Sequence, residues 1–598
     1  QHVGGFVISQ GALTHLVPIE NAAMADRTII QWEKNDLEAL GLLKIDVLAL
    51  GMLSAVRKCL DLVSDYSDEP LTIQKIPAED PAVYEMMCAA DTIGVFQIES
   101  RAQMSMLPRL KPRCYYDLVI QIAIVRPGPI QGEMVHPYLN RRSGREAISY
   151  PSKAVKSVLE RTLGVPIFQE QVMQLAMVAA GFSGGEADGL RRAMAAWKRK
   201  GGLEHYREKL VTGMLDRGYE PSFAEQLFNQ IKGFGDYGFP ESHSASFALI
   251  AYVSSWLKCY HPAAFCCALL NSQPMGFYAP AQLIKDAQRH GVEVLPAEVN
   301  ESVVGCSLEA SDTVGASKAI ESPDSSEWRK RPRVQGAAQS QRLRIGFNLV
   351  KGLSAQAAVA IVEARRGGAY VSIQDLVFRT GIDRRDLEAL AAADALRGLA
   401  GDRHRAFWHA AGVITAQGYA VSHSRAGSLA HADRPIADLF DDATSGDSDF
   451  GLGVMLPLAS ESQNVAGDYA ATGFTLRRHP LALLREHLDC FGANSSAQLG
   501  KLGNDQATKV AGLVTCRQRP MTASGVTFLT LEDEAGHMNV VVWPALGERL
   551  RPILRQAMLI GVVGRVQENE GVIHVIADNL VDLTSWLGEL SLSSRDFT

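Results

Sequence analysis

The spacing of apolar residues changes along this chain of 598 residues, and that change limits the fold more than any other sequence feature. Apolar side chains repeat at helical spacing across residues 52–297, for instance at 171–178. Residues 506–583 instead alternate apolar and polar side chains between turn glycines, a pattern typical of short strands. A chain of this length is expected to form several domains. The sequence therefore predicts a multidomain α+β protein with a large helical part and a small carboxy-terminal β-barrel.

Composition and cysteine usage exclude several broad classes. Hydrophobic residues make up 47% and charged residues 21%, which argues against a disordered or fibrous protein. No apolar stretch approaches the ~20 residues of a membrane span, so no membrane is expected as a partner. The nine cysteines form no CxxC pair, so a zinc ribbon and a disulfide framework are disfavoured, and a cytoplasmic location fits best. The net charge of -7 still allows nucleic-acid binding through local basic clusters.

Two polar residues stand in the apolar strand predicted over 42–48. Lys44 and Asp46 are two positions apart and share one face of a strand, which leaves Ile45 and Val47 to face the core. A carboxylate beside a lysine suits an anionic substrate held through a divalent metal, with Asp46 as ligand and Lys44 as phosphate contact. An edge strand with one solvated face explains the same spacing.

A dense basic segment lies in and just after a helix predicted over 186–197. Guanidinium and ammonium groups in such a segment can bind a triphosphate or a nucleic-acid backbone. A solvated helix face is the alternative. The basic residues are Arg191, Arg192, Lys198, Arg199 and Lys200.

Aromatic residues alternate with glycines just before another predicted helix. Tyr237 and Phe239 precede the run in which His243 stands between Ser242 and Ser244. Rings for base stacking next to phosphate contacts suit nucleotide binding. A Ser–His nucleophile pair is disfavoured, because adjacent side chains rarely face each other and no glycine elbow surrounds the serines. A helix cap with core aromatics is the structural alternative.

Lys351 and Gly352 stand in a glycine turn before a helix predicted over 355–365. The turn resembles a helix-hairpin-helix, whose backbone N–H groups bind a DNA phosphate, with 380–383 as a degenerate second half. A plain helical hairpin is the alternative. The alternating segments between 510 and 543 suit an OB barrel, which binds single strands or acts as an interaction module.

Taken together, these segments resemble the C-family bacterial DNA polymerases, the alpha-subunit type of DNA polymerase III. The runs HVGG, GLLKID, VFQIESR, RPGP, QEQVM and GFPESHS carry the resemblance, at 2–5, 41–46, 95–101, 126–129, 169–173 and 238–244. The pair Pro240-Glu241 and the segments 475–481 and 594–597 are most similar to the error-prone, damage-inducible branch (ImuC-like).

The resemblance implies template-directed DNA synthesis during SOS mutagenesis and translesion bypass. Primer-template DNA and dNTPs would be the substrates, two Mg²⁺ ions the cofactors, and a sliding clamp and a Y-family-like protein the partners. Asp46 matches the third of three metal-binding aspartates and Lys44 a phosphate-contacting lysine. The finger residues around the incoming nucleotide are matched by Arg191, Arg192, Tyr237, Phe239 and His243.

The resemblance also predicts the order of the domains. We expect the end of the palm at 1–52, fingers at 53–300, a disordered insertion at 301–342, the helix-hairpin-helix region at 343–415, a linker at 416–504, the OB barrel at 505–585 and a tail at 586–598. The family's other two catalytic aspartates lie upstream of the Gly4-Gly5 segment. The expectation is therefore a carboxy-terminal part that is inactive alone.

Two alternatives accompany this interpretation. Ile436, Leu439 and Phe440 stand where relatives carry a clamp-binding peptide, but an acidic linker with chance apolar residues explains them equally well. The whole chain can also be a non-catalytic DNA-binding scaffold that retains fingers, hairpins and barrel.

Overall fold

A computed structural model of the chain describes residues 5–22, 27–32, 34–47, 49–126, 134–200, 203–233, 240–310, 341–412, 457–519, 525–569, 572–588 and 595–597. The predicted mixture of a helical part, helical hairpins and a carboxy-terminal barrel is confirmed. All nine cysteines are free thiols. Across the ranges given above, no helix combines the length and the apolar character that crossing a membrane requires.

The helical part forms because its helices each present a continuous apolar stripe. Helix Leu50–Asp65 buries Met52, Val56 and Cys59, which follow the three-to-four-residue repeat. Helix Pro262–Leu270 is buried on all sides and lies at the centre of this part. The helices are Lys34–Ala39, Leu50–Asp65, Pro81–Cys88, Arg101–Leu110, Tyr115–Ile124, Val135–Arg142, Lys153–Leu159, Gln169–Ala180, Gly184–Lys200, Leu203–Leu215, Pro221–Gly233, Glu241–Tyr260, Pro262–Leu270 and Pro280–Arg289.

The amino-terminal strands form two ribbons. Strand β1 (Gly5–Ile8) pairs antiparallel with β4 (Leu43–Asp46), and β2 (Ile19–Asn21) pairs with β3 (Thr28–Ile30). The first ribbon has Phe6 opposite Ile45 and Val7 opposite Lys44, which confirms the predicted alternation along the strand.

The predicted burial of this strand is wrong. Ile45 is 41% exposed and Val47 is 38% exposed, so neither faces a core. Two paired strands bury little by themselves, and an apolar face stays accessible unless another layer packs on it. Periodicity reports which residues share a face, but it does not report whether that face is covered.

The predicted insertion at 301–342 is ordered at both ends. Strands β5 (Val294–Leu295), β6 (Ser307–Ala310) and β7 (Gln341–Arg344) form one small sheet in the order β5-β7-β6. Leu308 faces Leu343, and Leu343 is fully buried. The disorder prediction is therefore wrong for β6 and the start of β7, since polar composition does not reveal pairing between distant segments. Residues 311–340 lie outside the described residues.

Helical hairpins follow the small sheet. They consist of helices Ala355–Ala364, Ile373–Thr380, Arg384–Ala392 and Arg397–Ala400. The linker predicted at 416–504 is wrong from residue 457 onward, because helices Glu461–Ala471, Pro480–Leu483, Arg485–Phe491 and Ser496–Leu499 occupy it. Arg477 bridges Asp394 at 2.8 Å and Asp468 at 3.2 Å, which ties the first of these helices to the hairpins. Residues 413–456, with the candidate clamp peptide, lie outside the described part of the chain.

The carboxy-terminal strands close into a five-stranded barrel. Its strands are β8 (Ala507–Gln518), β9 (Thr527–Glu532), β10 (His537–Val542), β11 (Leu559–Asn569) and β12 (Val572–Asp582). Pairing of β11 with β8 closes the barrel, and β10 runs parallel to β12. Helices Pro544–Arg549 and Arg551–Gln556 connect β10 to β11. The predicted tail is partly a strand, β13 (Arg595–Phe597), which pairs with the end of β8.

Candidate functional site

The two predicted nucleotide-binding arginines lie side by side on helix Gly184–Lys200. Arg191 Nε is 2.9 Å from Asp188 Oδ1, and Arg192 Nε is 3.1 Å from Asp188 Oδ2. Asp188, Arg191 and Arg192 share a face because they are spaced three and four residues apart. Arg192 is 69% exposed and Arg191 41% exposed, so one carboxylate orients two accessible guanidinium groups. Guanidinium groups oriented in this way can bind an anion.

Glu186, in the first turn of that helix, anchors the helix start. Glu186 accepts hydrogen bonds from the Ser183 amide at 2.9 Å and from its hydroxyl at 3.0 Å. The hydrogen bond from Lys209, followed by those from Ser183, lowers the pKa of Glu186 to about 2. A carboxylate in the first turn stabilises a helix through its dipole. The arginines therefore project from a well-anchored helix.

The side chains of several predicted site residues lie outside the described part of the chain. Helix Gly184–Lys200 continues through Lys198, Arg199 and Lys200, but the description stops at their backbone. Tyr237 and Phe239 lie outside the described residues. Lys44 and Asp46 share one face of β4, opposite Val7 and Gly5, and the side chain of Asp46 is not described.

His243 lies in the first turn of helix Glu241–Tyr260, next to an arginine that the site prediction omitted. Burial and, secondly, the positive charge of Arg126 lower the pKa of His243. Arg126 donates from Nη2 to Gln97 Oε1 at 3.0 Å and from Nε to the Ile122 carbonyl at 3.3 Å. The centroid of the imidazole lies 4.1 Å from that of the Phe247 ring, with the two ring planes tilted by 50°. At neutral pH this gives an uncharged imidazole beside a positioned guanidinium.

The turn at residues 92–99 positions Gln97 toward Arg126. Gln97 has a φ of +64°, a left-handed conformation that costs a residue other than glycine some stability. Thr92 Oγ1 donates to the Ile98 carbonyl at 2.7 Å, and the Glu99 carboxylate accepts from the Gly94 amide at 3.0 Å. Ser254 Oγ accepts from the Phe96 amide at 3.2 Å, which joins the turn to helix Glu241–Tyr260. The surrounding hydrogen bonds thus maintain the strained residue.

Charged residues of two further segments contact the start of helix Glu241–Tyr260. Glu170 accepts a hydrogen bond from the Glu241 amide at 3.0 Å, a contact that satisfies one of the unpaired N–H groups at the helix start. Arg161 pairs with the Glu241 carboxylate at 3.2 Å and lies 3.7 Å from the ring centroid of Tyr116. The structure thereby brings together segments 95–101, 126, 169–173 and 240–244, which are far apart in the sequence.

Ser244, one of the two serines beside His243, is not placed to act as a nucleophile with it. Ser244 is fully buried and donates from Oγ to the Val119 carbonyl at 2.5 Å. The Ser242 carbonyl accepts from Ser246 Oγ within the helix at 3.0 Å. A buried hydroxyl committed to a backbone carbonyl is not available as a nucleophile.

The glycine turn before helix Ala355–Ala364 has the predicted hairpin geometry, but its polar groups are partly engaged. Gly352 has a φ of +86°, and Ser354 caps the helix by accepting from the Ala357 amide at 3.1 Å. Asp386 accepts from the Ser354 amide at 2.7 Å and so links the two hairpins. The Lys351 ammonium donates to the Tyr469 carbonyl at 3.0 Å. This bond uses one of the three donors of the ammonium, so it does not by itself prevent a phosphate contact.

One group of three potential metal ligands occurs in the described part of the chain, and it already surrounds a cation. Asp91, Asp286 and His290 lie close together, but Lys258 Nζ is 3.1 Å from Asp91 and 2.8 Å from Asp286. Burial opposes the charge of Lys258, yet the two carboxylates raise its pKa. The buried ammonium occupies the place that a metal would take. This set does not fit Mg²⁺, and we derive no chemical step through a metal from it.

Four family models match separate parts of the chain. Residues 52–218 match the bacterial DNA polymerase III alpha subunit finger domain, and residues 1–49 match the bacterial DNA polymerase III alpha NTPase domain. Residues 291–406 match a helix-hairpin-helix motif, and residues 508–583 match an OB-fold nucleic acid binding domain.

Curated relatives are similar along the whole chain. An error-prone DNA polymerase of Methylococcus capsulatus is 58% identical over 597 residues, which is 100% of this chain and 54% of the relative. Error-prone DNA polymerases of Alkalilimnicola ehrlichii and Bordetella bronchiseptica are 53% and 55% identical, with 100% of this chain and 54% and 53% of the relatives covered. The chain thus spans about half the length of these relatives. It carries domains of the bacterial DNA polymerase III alpha type and is similar throughout to error-prone DNA polymerases.

Proposed function

We propose that this chain forms the nucleotide- and DNA-binding part of an error-prone DNA polymerase that acts in damage-induced mutagenesis and translesion synthesis. The supporting observation is the convergence of four separate sequence runs near the start of helix Glu241–Tyr260, where Glu170 contacts Glu241, Phe96 contacts Phe247, and Gln97 holds Arg126, whose charge acts on His243. Positioned guanidinium groups and an uncharged imidazole beside aromatic rings suit a nucleoside triphosphate. The reaction is the attack of a primer 3′ hydroxyl on the α-phosphate of a dNTP.

In this proposal the arginine pair binds the anionic part of the nucleotide. Arg191 and Arg192 are oriented by a single carboxylate, that of Asp188, and among the described residues no second acid pairs with them. Tyr237, Phe239 and His243 surround the base and sugar, while Lys198, Arg199, Lys200, Lys351 and Gly352 contact DNA. Asp46 is the one residue of the three-aspartate set matched in this chain, and Lys44 is its phosphate-contacting neighbour. When bound, Mg²⁺ would stabilise the charge that develops on the attacking and leaving oxygens.

Nucleotide binding by the arginine pair can be measured on the chain itself. We expect Arg191→Ala combined with Arg192→Ala to weaken binding of a fluorescent dNTP analogue at least tenfold, because each guanidinium removed loses a charge-assisted hydrogen bond. The matched control is Arg57→Ala, an arginine that also pairs with a helical aspartate and is 83% exposed. Fluorescence anisotropy at constant salt gives the affinities. Unchanged affinity in the double variant, or an equal loss in the control, would contradict the assignment.

The catalytic step requires a separate test. A polypeptide of the relatives' full length that contains this sequence should extend a primed template, and Asp46→Asn should abolish extension without preventing DNA binding. A non-catalytic DNA-binding scaffold is the second candidate, supported by the hairpin turn and the barrel. It predicts DNA binding that is independent of dNTP and no extension in any variant.

The remaining partners are proposed from the resemblance alone. A sliding clamp would bind the segment around Leu439 and Phe440, and a Y-family-like protein would assist recruitment. Loss of clamp capture on Leu439→Ala and Phe440→Ala is the expected result of a pull-down. The domain limits given above, with the corrections at 307–310 and from 457 onward, and a cytoplasmic location belong to the same proposal.

A further inference from the structure

The turn at residues 92–99 holds Gln97 in a backbone conformation that usually favours glycine. Its φ of +64° lies in the left-handed region, and hydrogen bonds within the turn and to helix Glu241–Tyr260 maintain it. Strained residues of this kind are frequent at functional sites. Asp505 has the same φ in the barrel, so the strain gains meaning only from the contact that the Gln97 side chain makes.

The side chain of Gln97 orients a guanidinium group. Its Oε1 atom accepts a hydrogen bond from Arg126 Nη2 at 3.0 Å, and Arg126 Nε donates to the Ile122 carbonyl at 3.3 Å. These bonds use part of the donor set of the guanidinium and fix the plane of the group. Both acceptors are uncharged, so the two bonds orient Arg126 without cancelling its positive charge. An oriented guanidinium suits phosphate because its fork of donors matches two phosphate oxygens.

The neighbouring residue of the turn, Phe96, contacts the helix that carries His243. The ring of Phe96 meets that of Phe247 edge-on, with the two centroids 5.1 Å apart. The Phe247 centroid lies 4.1 Å from that of the His243 imidazole. Burial and, after it, the charge of Arg126 lower the pKa of His243. Two adjacent residues of one turn therefore fix the guanidinium and the imidazole relative to each other.

We propose that Gln97 is a positioning residue for nucleotide addition, which holds the Arg126 guanidinium near His243 to contact the triphosphate of the incoming nucleotide. Gln97 acts through Arg126 and does not touch the nucleotide. The amide suits this role because it supplies an acceptor without a charge, whereas a carboxylate would compete with phosphate for the guanidinium. The choice of a nucleotide as the ligand rests on the proposed function, whereas the positioning follows from the contacts of Phe96 and Gln97.

The first test measures binding of mant-dATP to the chain by fluorescence anisotropy. Gln97→Gly removes the acceptor and relieves the left-handed strain, so the melting temperature should hold or rise while the affinity falls about tenfold. A purely structural role would instead lower the melting temperature and the affinity together, and that result would overturn the proposal. The matched control is Asp505→Gly, which relieves strain at the same φ in the barrel and should leave the affinity unchanged.

A second variant, Gln97→Glu, separates orientation from charge. It keeps the size of the side chain and an acceptor for Arg126, but its negative charge pairs with the guanidinium. We expect the affinity for inorganic tripolyphosphate to fall about tenfold or more. The pKa of His243, followed by histidine-selective NMR, should rise because a negative charge now lies near it. Unchanged affinity for tripolyphosphate would overturn the phosphate contact, and an unchanged pKa of His243 would overturn its closeness to the pair.

The outcomes separate this positioning role from the proposed function. If the Arg191 and Arg192 double variant loses affinity for mant-dATP but the Gln97 variants do not, the positioning role fails and the proposed function stands. If none of these variants loses affinity, both fail. In primer extension by a polypeptide of the relatives' full length, Gln97→Gly should raise the KM for dNTP about tenfold and change kcat less. A loss confined to kcat would contradict a contact with the bound triphosphate.

Discussion

The buried ammonium of Lys258 depends on the oppositely charged groups around it. Lys258 is 1% exposed and contacts Asp91, Asp286 and the Ile93 carbonyl. His290 completes the group, with Nε2 at 3.0 Å from Asp91. Burial opposes the positive charge of His290, and the two carboxylates raise its pKa despite that. A buried network is stable only while each member has its partner.

Removal of the ammonium should therefore be costly. Lys258→Met removes the ammonium between the two buried carboxylates and leaves His290 as their cationic neighbour, and we expect a loss of about 3 kcal/mol in the free energy of unfolding. Urea denaturation measures the loss. Lys75→Met is the control, because its pair with Glu69 is exposed and should contribute little to stability. A metal site at this position would instead make wild-type stability rise with added Mg²⁺, and we expect no such rise.

Packing between helices depends on glycine at a few positions. Gly213 lies in helix Leu203–Leu215, where a Cβ would meet the Ala180 carbonyl oxygen at 2.2 Å. Ala180 ends helix Gln169–Ala180, so the obstacle is backbone and cannot rotate away. This close approach brings the sequence run at 169–173 and its Glu170 into position.

A glycine pair tests this packing. Gly213→Ala should destabilise the protein by about 1–3 kcal/mol, because the methyl group forces the two helices apart. Gly185→Ala is the matched control, since nothing lies within 4 Å of its Cβ position, and it should be stabilising by about 0.5–1 kcal/mol. Thermal unfolding of both variants gives the comparison. Equal behaviour of the two would show that helix propensity, and not contact, decides the result.

The starts of helices are the features around the site that the sequence predicts best. Ser354 and Asp383 precede their helices and cap them through the side chain, as their residue types predict. His243 was correctly placed near the start of a helix. Sequence reasoning did not include Arg126 and Gln97 among the site residues. Their hydrogen bond joins positions 29 residues apart, so it depends on the tertiary fold. The sequence signal that could have found them is that each lies in a run that carries the family resemblance, at 95–101 and 126–129.

At the scale of the whole molecule, the barrel is docked on the finger region through buried charges. Glu532 accepts from Lys285, which also donates to the Asp533 carbonyl at 2.8 Å. Burial opposes the negative charge of Glu532, but Lys285, His479 and His537 hold its pKa well below the usual range. Arg289 Nη1 lies 3.3 Å from His537 Nδ1 in the same interface. The barrel is therefore fixed relative to helix Pro280–Arg289.

Docking can be tested with a double-mutant cycle. Lys285→Met alone should cost about 3 kcal/mol because it removes the ammonium partner of the buried Glu532 carboxylate and leaves that charge to His479 and His537, whereas adding Glu532→Gln should recover part of that loss. Urea unfolding measures the stabilities, and small-angle X-ray scattering detects release of the barrel. The exposed pair of Arg57 and Asp61 provides the control cycle, with little coupling expected. Additive losses at Lys285 and Glu532 would mean that the pair does not hold the barrel.

The sequence by itself determined the kinds of elements and their order. Apolar spacing identified the helical part and the barrel, and residue types identified caps, turns and the basic face with Arg191 and Arg192. These properties are local, since they depend on residues a few positions apart. Ordered runs of residues carried the family resemblance, again without reference to contacts.

Only the tertiary structure decided which of these features are exposed, paired or covered. The strand with Ile45 is exposed because burial depends on a second layer, and strands β6 and β7 form because segments more than 30 residues apart pair. Lys258 replaces a metal, and the β9–β10 face is covered, because charges from distant helices meet there. Such contacts depend on long-range packing, which neither periodicity nor composition records.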